Sequence, residues 1–170
     1  LLLGALMRNT GRLYAYDVSD KRLANLKPRL ARSGLSHVHP ARIEHARDTK
    51  IKRLSGKADR VLVDAPCSGL GTLRRNPDLK WRQDEASVAE LTVKQASILD
   101  AASTMVRPGG RLVYATCSLL TAENDDIVAA FLAKHPDFTL IPAATILAKQ
   151  GIAFDGDTLR LLPNLHNTDG

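Results

Sequence analysis

Short apolar, β-branched runs alternate along this chain with longer stretches whose apolar residues recur every three or four positions. Alternation of that kind predicts repeated β-α units and an α/β fold built on a mostly parallel sheet. Strands are expected at about 12–17, 42–46, 60–64, 111–116 and 138–141. Ser19 reads as the N-cap of a helix that carries Leu23, Leu26 and Leu30 and stops at Ser33-Gly34, with Pro28 expected to kink or break it. A longer helix is expected over about 85–106, with Val88, Leu91, Ile98, Ala102 and Met105 on one face and Pro108-Gly109-Gly110 beyond its end. Another begins near Thr121 and buries Ile127, Val128, Phe131 and Leu132, and Leu1 to Met7 reads as a further helix. The one long irregular stretch is Ser68 to Asp84, and a loop of that length inside a compact domain is usually functional or disordered.

With 170 residues and 44% hydrophobic content, one globular domain over 1–170 is the default. A doubly wound sheet is expected to place a strand and a glycine-rich turn before its first helix, and neither is present here, so both ends read as cut. The two cysteines are too few for a disulfide scaffold and do not form a zinc-ligand pattern, which favours a reducing, cytoplasmic setting and no metal. The apolar start is too short to span a bilayer and lacks a basic leader, so no membrane partner is expected. Nothing suggests an assembly motif, and a monomer is expected.

Charge changes the picture more than composition does. The net charge is +6, yet residues 21–60 hold twelve Lys and Arg against three acids, a local +9. A localised basic block of this kind attracts a polyanion, nucleic acid above all, although a solvated helical surface reads the same way.

Both cysteines directly follow apolar strand-like runs, one in Val61-Leu62-Val63-Asp64-Ala65-Pro66-Cys67-Ser68-Gly69 and the other in Arg111-Leu112-Val113-Tyr114-Ala115-Thr116-Cys117-Ser118. The carboxyl ends of parallel strands form the ligand crevice of an open α/β sheet, so both thiols are expected to face one small volume with Asp64. Taken singly, each cysteine is more often an inert small hydrophobe. Asp17 ends the strand where this fold class places an acid that binds the ribose hydroxyls of a nucleoside cofactor, though an Asp here also serves as a helix cap. Asp48 ends the next expected strand, and reads equally as a surface acid. After the first thiol, Arg74-Arg75-Asn76-Pro77-Asp78-Leu79-Lys80-Trp81-Arg82 offers four cations and an indole. Guanidinium groups hold phosphates and an indole stacks on a base, the alternative being that Trp81 anchors the loop to the core.

The segments Asp64-Ala65-Pro66-Cys67-Ser68-Gly69-Leu70-Gly71, Arg75-Asn76-Pro77-Asp78 with Lys80-Trp81, and Thr116-Cys117-Ser118 resemble the Sun-type RNA (cytosine-5)-methyltransferases, most closely the bacterial 16S rRNA small-subunit methyltransferase B branch. The likeness extends over essentially the whole chain, including Arg107-Pro108-Gly109-Gly110, Glu123-Asn124, Leu162-Pro163 and Thr168-Asp169-Gly170. It implies a class I, Rossmann-like methyltransferase fold, S-adenosylmethionine as methyl donor, and cytosine in RNA as acceptor, rRNA ahead of tRNA. By the same resemblance Asp17, Asp48 and Asp64 match cofactor-binding acids, with Asp64 also the acid of the Pro-Cys motif. Cys117 matches the nucleophile that adds to the base, and Cys67 the second cysteine that assists product release. Arg74, Arg75, Lys80 and Trp81 are the expected RNA-binding residues. For Asp64 three roles stay open: a protonated donor to the ring if burial raised its pKa, an orienting group for the amino substituent, or a cofactor contact. Two other classes compete: a nicotinamide-dependent oxidoreductase, which suits Asp17 but gives the cysteines no task, and a non-catalytic basic RNA-binding module.

Overall fold

The computed structural model describes residues 1–170, which divide into two compact units, Leu1–Leu54 and Ser55–Gly170. In the first, α1 (Leu2–Leu6) leads to β1 (Leu13–Asp17), α2 (Asp20–Ser33), β2 (Val38–Arg42) and α3 (Thr49–Lys52). β1 and β2 run parallel, from Leu13 opposite Val38 to Asp17 opposite Arg42, with α2 as the crossover packed on both. Ser19 caps α2 by accepting from the Arg22 N–H, and Gly34 ends it in the left-handed region at φ +69°, where a side chain would be strained. The helix continues through Pro28 without the expected break. β2 begins earlier than the expected 42–46 and includes Pro40. Its only ladder partner is β1, and an edge strand tolerates a residue that lacks an N–H.

The second unit contains β3 (Ala58–Asp64), a 3-10 turn at Leu70–Thr72, α4 (Leu79–Arg82), α5 (Glu85–Ser103), β4 (Val106–Ala115), a second 3-10 turn at Thr121–Glu123, α6 (Asp125–Lys134), α7 (Ala143–Ala148) and α8 (Pro163–His166). The long loop is therefore partly helical. A reciprocal capping box sets the start of α5: Asp84 accepts from the Ser87 N–H at 2.7 Å, and the Ser87 hydroxyl oxygen accepts from the Asp84 N–H at 3.0 Å.

β3 and β4 are parallel, with Arg60 opposite Arg111 through to Asp64 opposite Ala115. The ladder is irregular between Ala58 and Arg60, and Pro108-Gly109-Gly110 lies inside β4 at this bulge, not before the strand. A Cβ on Gly110 would lie 2.8 Å from the Arg107 carbonyl oxygen, so the bulge needs a glycine there. α5 packs on both strands and on α6. Val61, Val63, Leu99, Ala102, Met105, Ile127 and Phe131 are buried in this unit, whereas Leu62 and Val113, on the alternate positions of the ladder, are exposed. No strand forms at 138–141. Phe138 instead meets the Phe131 ring edge-on at a centroid distance of 5.3 Å, and Leu140 and Ile141 stay exposed.

Candidate active site

Parallel pairing makes β3 and β4 end side by side. The Ala65 N–H donates to the Ala115 carbonyl at 2.9 Å, the last rung before both chains leave the ladder. Two residues on from each rung partner stand Cys67 and Cys117, both free, with their sulfurs 3.4 Å apart. Cys117 is exposed and Cys67 is half-buried. Burial pushes the Cys67 thiol up to about 11, and its sulfur contact with Cys117 adds to the effect, so Cys67 holds its proton at neutral pH. Asp64 is exposed at the end of β3, so the burial on which a protonated-donor role depended is absent.

One residue beyond each cysteine is a buried serine, and both serines converge on a carboxylate that the sequence marked only within the Glu123-Asn124 pair, with no role. Glu123 is 0% exposed. Its Oε2 accepts from the hydroxyls of Ser68 and Ser118, each at 2.5 Å, and its Oε1 accepts from the Ser68 N–H at 2.8 Å and the Gln95 amide at 2.9 Å. Burial acts to raise the pKa of this carboxyl, but the two hydroxyls, the backbone N–H and the amide outweigh it and hold it below the usual range. Gln95 also donates to the Pro66 carbonyl at 2.9 Å, which fixes the Pro-Cys peptide. Around the second cysteine, Thr116 donates to the Asn124 Oδ1 at 2.6 Å, and the Asn124 amide returns bonds to the Ser118 and Leu120 carbonyls. Tyr114 donates to the Glu123 carbonyl at 2.8 Å, and burial, with Cys67 and Glu123 nearby, keeps its hydroxyl well above the ordinary range.

The segment after Cys67 is clamped onto Cys117. Gly71 N–H donates to the Cys117 carbonyl and Gly170 N–H donates to the Gly71 carbonyl, both at 2.9 Å. A Cβ on Gly71 would lie 2.7 Å from the Cys117 oxygen and 2.9 Å from Gly170 backbone atoms, so only glycine permits this approach. Arg74 donates to the Asn167 Oδ1 at 2.8 Å, and Arg75 pairs with Asp169 at 3.0 Å, which ties the basic loop to the same C-terminal segment. Trp81 is 81% exposed, with the Lys80 ammonium 4.6 Å from its ring centroid. The core-anchor reading of Trp81 is thereby excluded. An open groove of about 670 Å³ adjoins this loop, lined by Leu70, Lys80, Gln83, Val88, Thr92 and Leu120 among others.

In the first unit, Asp17 accepts from the Ser19 N–H at 2.8 Å and pairs with Arg22 at 2.8 Å. Partial burial works against its charge, but Arg22 and the Ser19 N–H hold the carboxyl below its usual range. Asp48 is buried and folds its own turn: its oxygens accept from Lys50 N–H at 2.8 Å and Glu44 N–H at 3.0 Å, which keeps its carboxyl low. Asp48 is thus not the free surface acid of the alternative reading.

The β-α-β units with parallel ladders form a Rossmann-like methyltransferase fold, with two free thiols meeting at its strand ends, and known structures agree. The chain aligns with the crystal structure of PH0851 at a TM-score of 0.88 and 38% identity, over 99% of this chain and 37% of that one. With the structure of NSun6 from Pyrococcus horikoshii solved with SFG, the TM-score is 0.77 at 29% identity, over 99% and 41%. The chain belongs to the family of 16S rRNA methyltransferases RsmB/F, which it matches over residues 1–170. It is 39% identical over 171 residues to the probable ribosomal RNA small subunit methyltransferase B of Synechocystis sp., covering 99% of this chain and 38% of that relative. The chain thus spans about two fifths of the length of such relatives. No helix is long and apolar enough to cross a membrane.

Proposed function

We propose that this chain is catalytic sequence of a cytoplasmic RNA (cytosine-5)-methyltransferase that acts on rRNA, with S-adenosylmethionine as methyl donor. The observation that carries the reading is the 3.4 Å contact between Cys67 and Cys117, one of them exposed. Membership of an rRNA methyltransferase family, and likeness to a protein solved with SFG, an analogue of S-adenosylmethionine, support it and set aside the nicotinamide alternative.

Fit to the cofactor is tested at Asp17. The Ser19 N–H, Arg22 and the Val18 backbone hold the Asp17 carboxylate ionised and oriented at the end of β1, the position at which this fold class binds ribose hydroxyls. Asp48 supports cofactor binding by holding the 44–50 turn closed around its carboxylate. When bound, S-adenosylmethionine supplies an electrophilic methyl group.

Cytosine C5 is a poor nucleophile, and the task of Cys117 is to change that. Its thiolate forms a bond to C6, the ring electrons become enamine-like at C5, and C5 takes the methyl group, whose bond to the donor's sulfonium sulfur would break with its electrons left on that sulfur. The C5 proton then passes to solvent water, the C5–C6 double bond re-forms, and Cys117 is expelled as thiolate. Cys67, which keeps its proton, donates S–H toward the Cys117 sulfur and stabilises the thiolate before addition and at expulsion. Asp64 accepts from the exocyclic amino group or from the cofactor. Exposed Trp81 with Lys80 stacks on an unpaired base, and Arg74 and Arg75 hold flanking phosphates after exchanging their partners Asn167 and Asp169.

The test is a denaturing gel of the full-length protein carrying Cys67→Ala, incubated with rRNA and S-adenosylmethionine. An RNA-protein adduct that accumulates, and vanishes when Cys117→Ala is added, is the expected outcome. Methyl transfer that persists without Cys117 would overturn the assignment.

A further inference from the structure

The two thiols sit on separate turns, 50 residues apart in sequence, and a ladder alone leaves those turns free to splay beyond its last rung. The Gly71 N–H to Cys117 carbonyl bond ties the two backbones, and the buried Glu123 carboxylate joins the side chains, taking a hydrogen bond from the residue next to each cysteine. We propose that Glu123 is a positioning residue: by accepting Ser68 and Ser118 together it sets the separation of Cys67 and Cys117. This deepens the reading of the cysteines as the reacting pair and rests on it.

Three features single out Glu123 from an ordinary core polar group. Charged residues are almost never fully buried without partners, and this one is 0% exposed with four donors, three of them from Ser68 and Ser118. Each serine hydroxyl has one proton, and both point it at Oε2, so the 3.2 Å contact between the two hydroxyl oxygens has no proton of its own and depends on the anion between them. The serine oxygens in turn accept from backbone: the Leu120 N–H reaches Ser118 at 3.1 Å and the Leu70 N–H reaches Ser68 at 3.5 Å. Glu123 therefore anchors a chain that runs from one cysteine turn to the other. An amide at 123 sets its NH2 either against the two serine oxygens, leaving both hydroxyl protons without their acceptor, or against the Ser68 N–H and the Gln95 amide, which are themselves donors.

The separation of two thiols is read directly by their equilibrium with glutathione, as the effective concentration of one for the other, with no RNA or cofactor present. Glu123→Ala is expected to lower that effective concentration at least tenfold and Glu123→Gln by severalfold. Ser118→Ala, which removes one arm of the clasp together with the acceptor of the Leu120 N–H, should lower it severalfold alone but add little in the Glu123→Gln background, the mark of residues acting through one another. Circular dichroism establishes that each variant compared is folded. If Glu123→Ala does not fold, Glu123→Gln and Ser118→Ala decide the matter. Folded variants with an effective concentration within twofold of the parent, or with additive losses, would show that Glu123 is only a buried core group. This equilibrium is independent of methyl transfer, so its failure leaves the adduct experiment standing, and failure of the adduct experiment leaves the clasp intact.

Discussion

Gly71→Ala is the sharpest perturbation of the site that leaves every chemical group in place. The new Cβ would lie 2.7 Å from the Cys117 carbonyl oxygen, where ordinary contact begins at 3.4 Å, so a shift of about 0.7 Å is forced. Both crowded neighbours, Cys117 and Gly170, present backbone, and no rotamer change relieves them. Overpacking of this kind costs roughly 1–3 kcal/mol. The Gly71 N–H to Cys117 and Gly170 N–H to Gly71 bonds weaken with it, each worth about 1 kcal/mol. A total near 2–4 kcal/mol corresponds to a fall in Tm of roughly 5–15 °C for a chain of this length. Gly56→Ala is the control: its Cβ meets nothing within 4 Å, and only the left-handed backbone at φ +64° resists, at about 1–2 kcal/mol. Calorimetry of both variants, with alkylation rates of Cys117 in a Cys67→Ala background, completes the measurement. If Gly71→Ala destabilises no more than Gly56→Ala and leaves Cys117 alkylation within twofold, the close approach is not made in solution.

Other outcomes follow from the same geometry. Arg75→Ala should weaken RNA binding and reduce the slope of log affinity against log salt by about 0.7–0.9, measured by titration at several salt concentrations. An unchanged slope places the phosphate contact elsewhere. In Cys117→Ala, the alkylation profile of Cys67 should move down from about 11, because the neighbouring sulfur is gone, yet stay above 9.0 because burial remains. Glu123 has a carboxyl pKa held below 4.5 in the fold, so its contribution to stability is complete above about pH 4.5 and is lost as pH falls through the lowered folded value. Acid unfolding followed by circular dichroism should show that loss in the parent and not in Glu123→Gln.

The elements that sequence periodicity located well are those whose signal is local. α2 has its cap at Ser19 and its stop at Gly34, and α5 carries its apolar stripe between an Asp84 cap and the β4 bulge. The misplaced elements depend on distant partners. The strand expected at 42–46 lies at Val38–Arg42 and includes Pro40, and only the ladder with β1 shows that an edge position accepts it. Phe138 to Ile141 has strand-like residues, but no neighbouring strand pairs with them, and Phe138 packs on α6 instead. At the site, the two cysteines were legible from their places after apolar runs, whereas Glu123 was visible only as part of a motif, since a lone acid in sequence carries no mark of burial. Gln95 did leave a signal: it falls in the apolar stripe of α5, four residues after Leu91 and three before Ile98, where a polar side chain must find a buried partner.

The contact between the thiols requires strand register as well as the Glu123 clasp. Asp64 faces Ala115 across the ladder, and a slip of one residue would carry a cysteine about 3.3 Å along its strand and turn it to the opposite face of the sheet. The chain joining the two strands, which includes the basic loop, the exposed indole and α5, lies outside that constraint between its anchoring contacts. The loop between Leu73 and Asp84 lies beyond the ladder that aligns the two cysteines, so its length can change without shifting the register on which their contact depends.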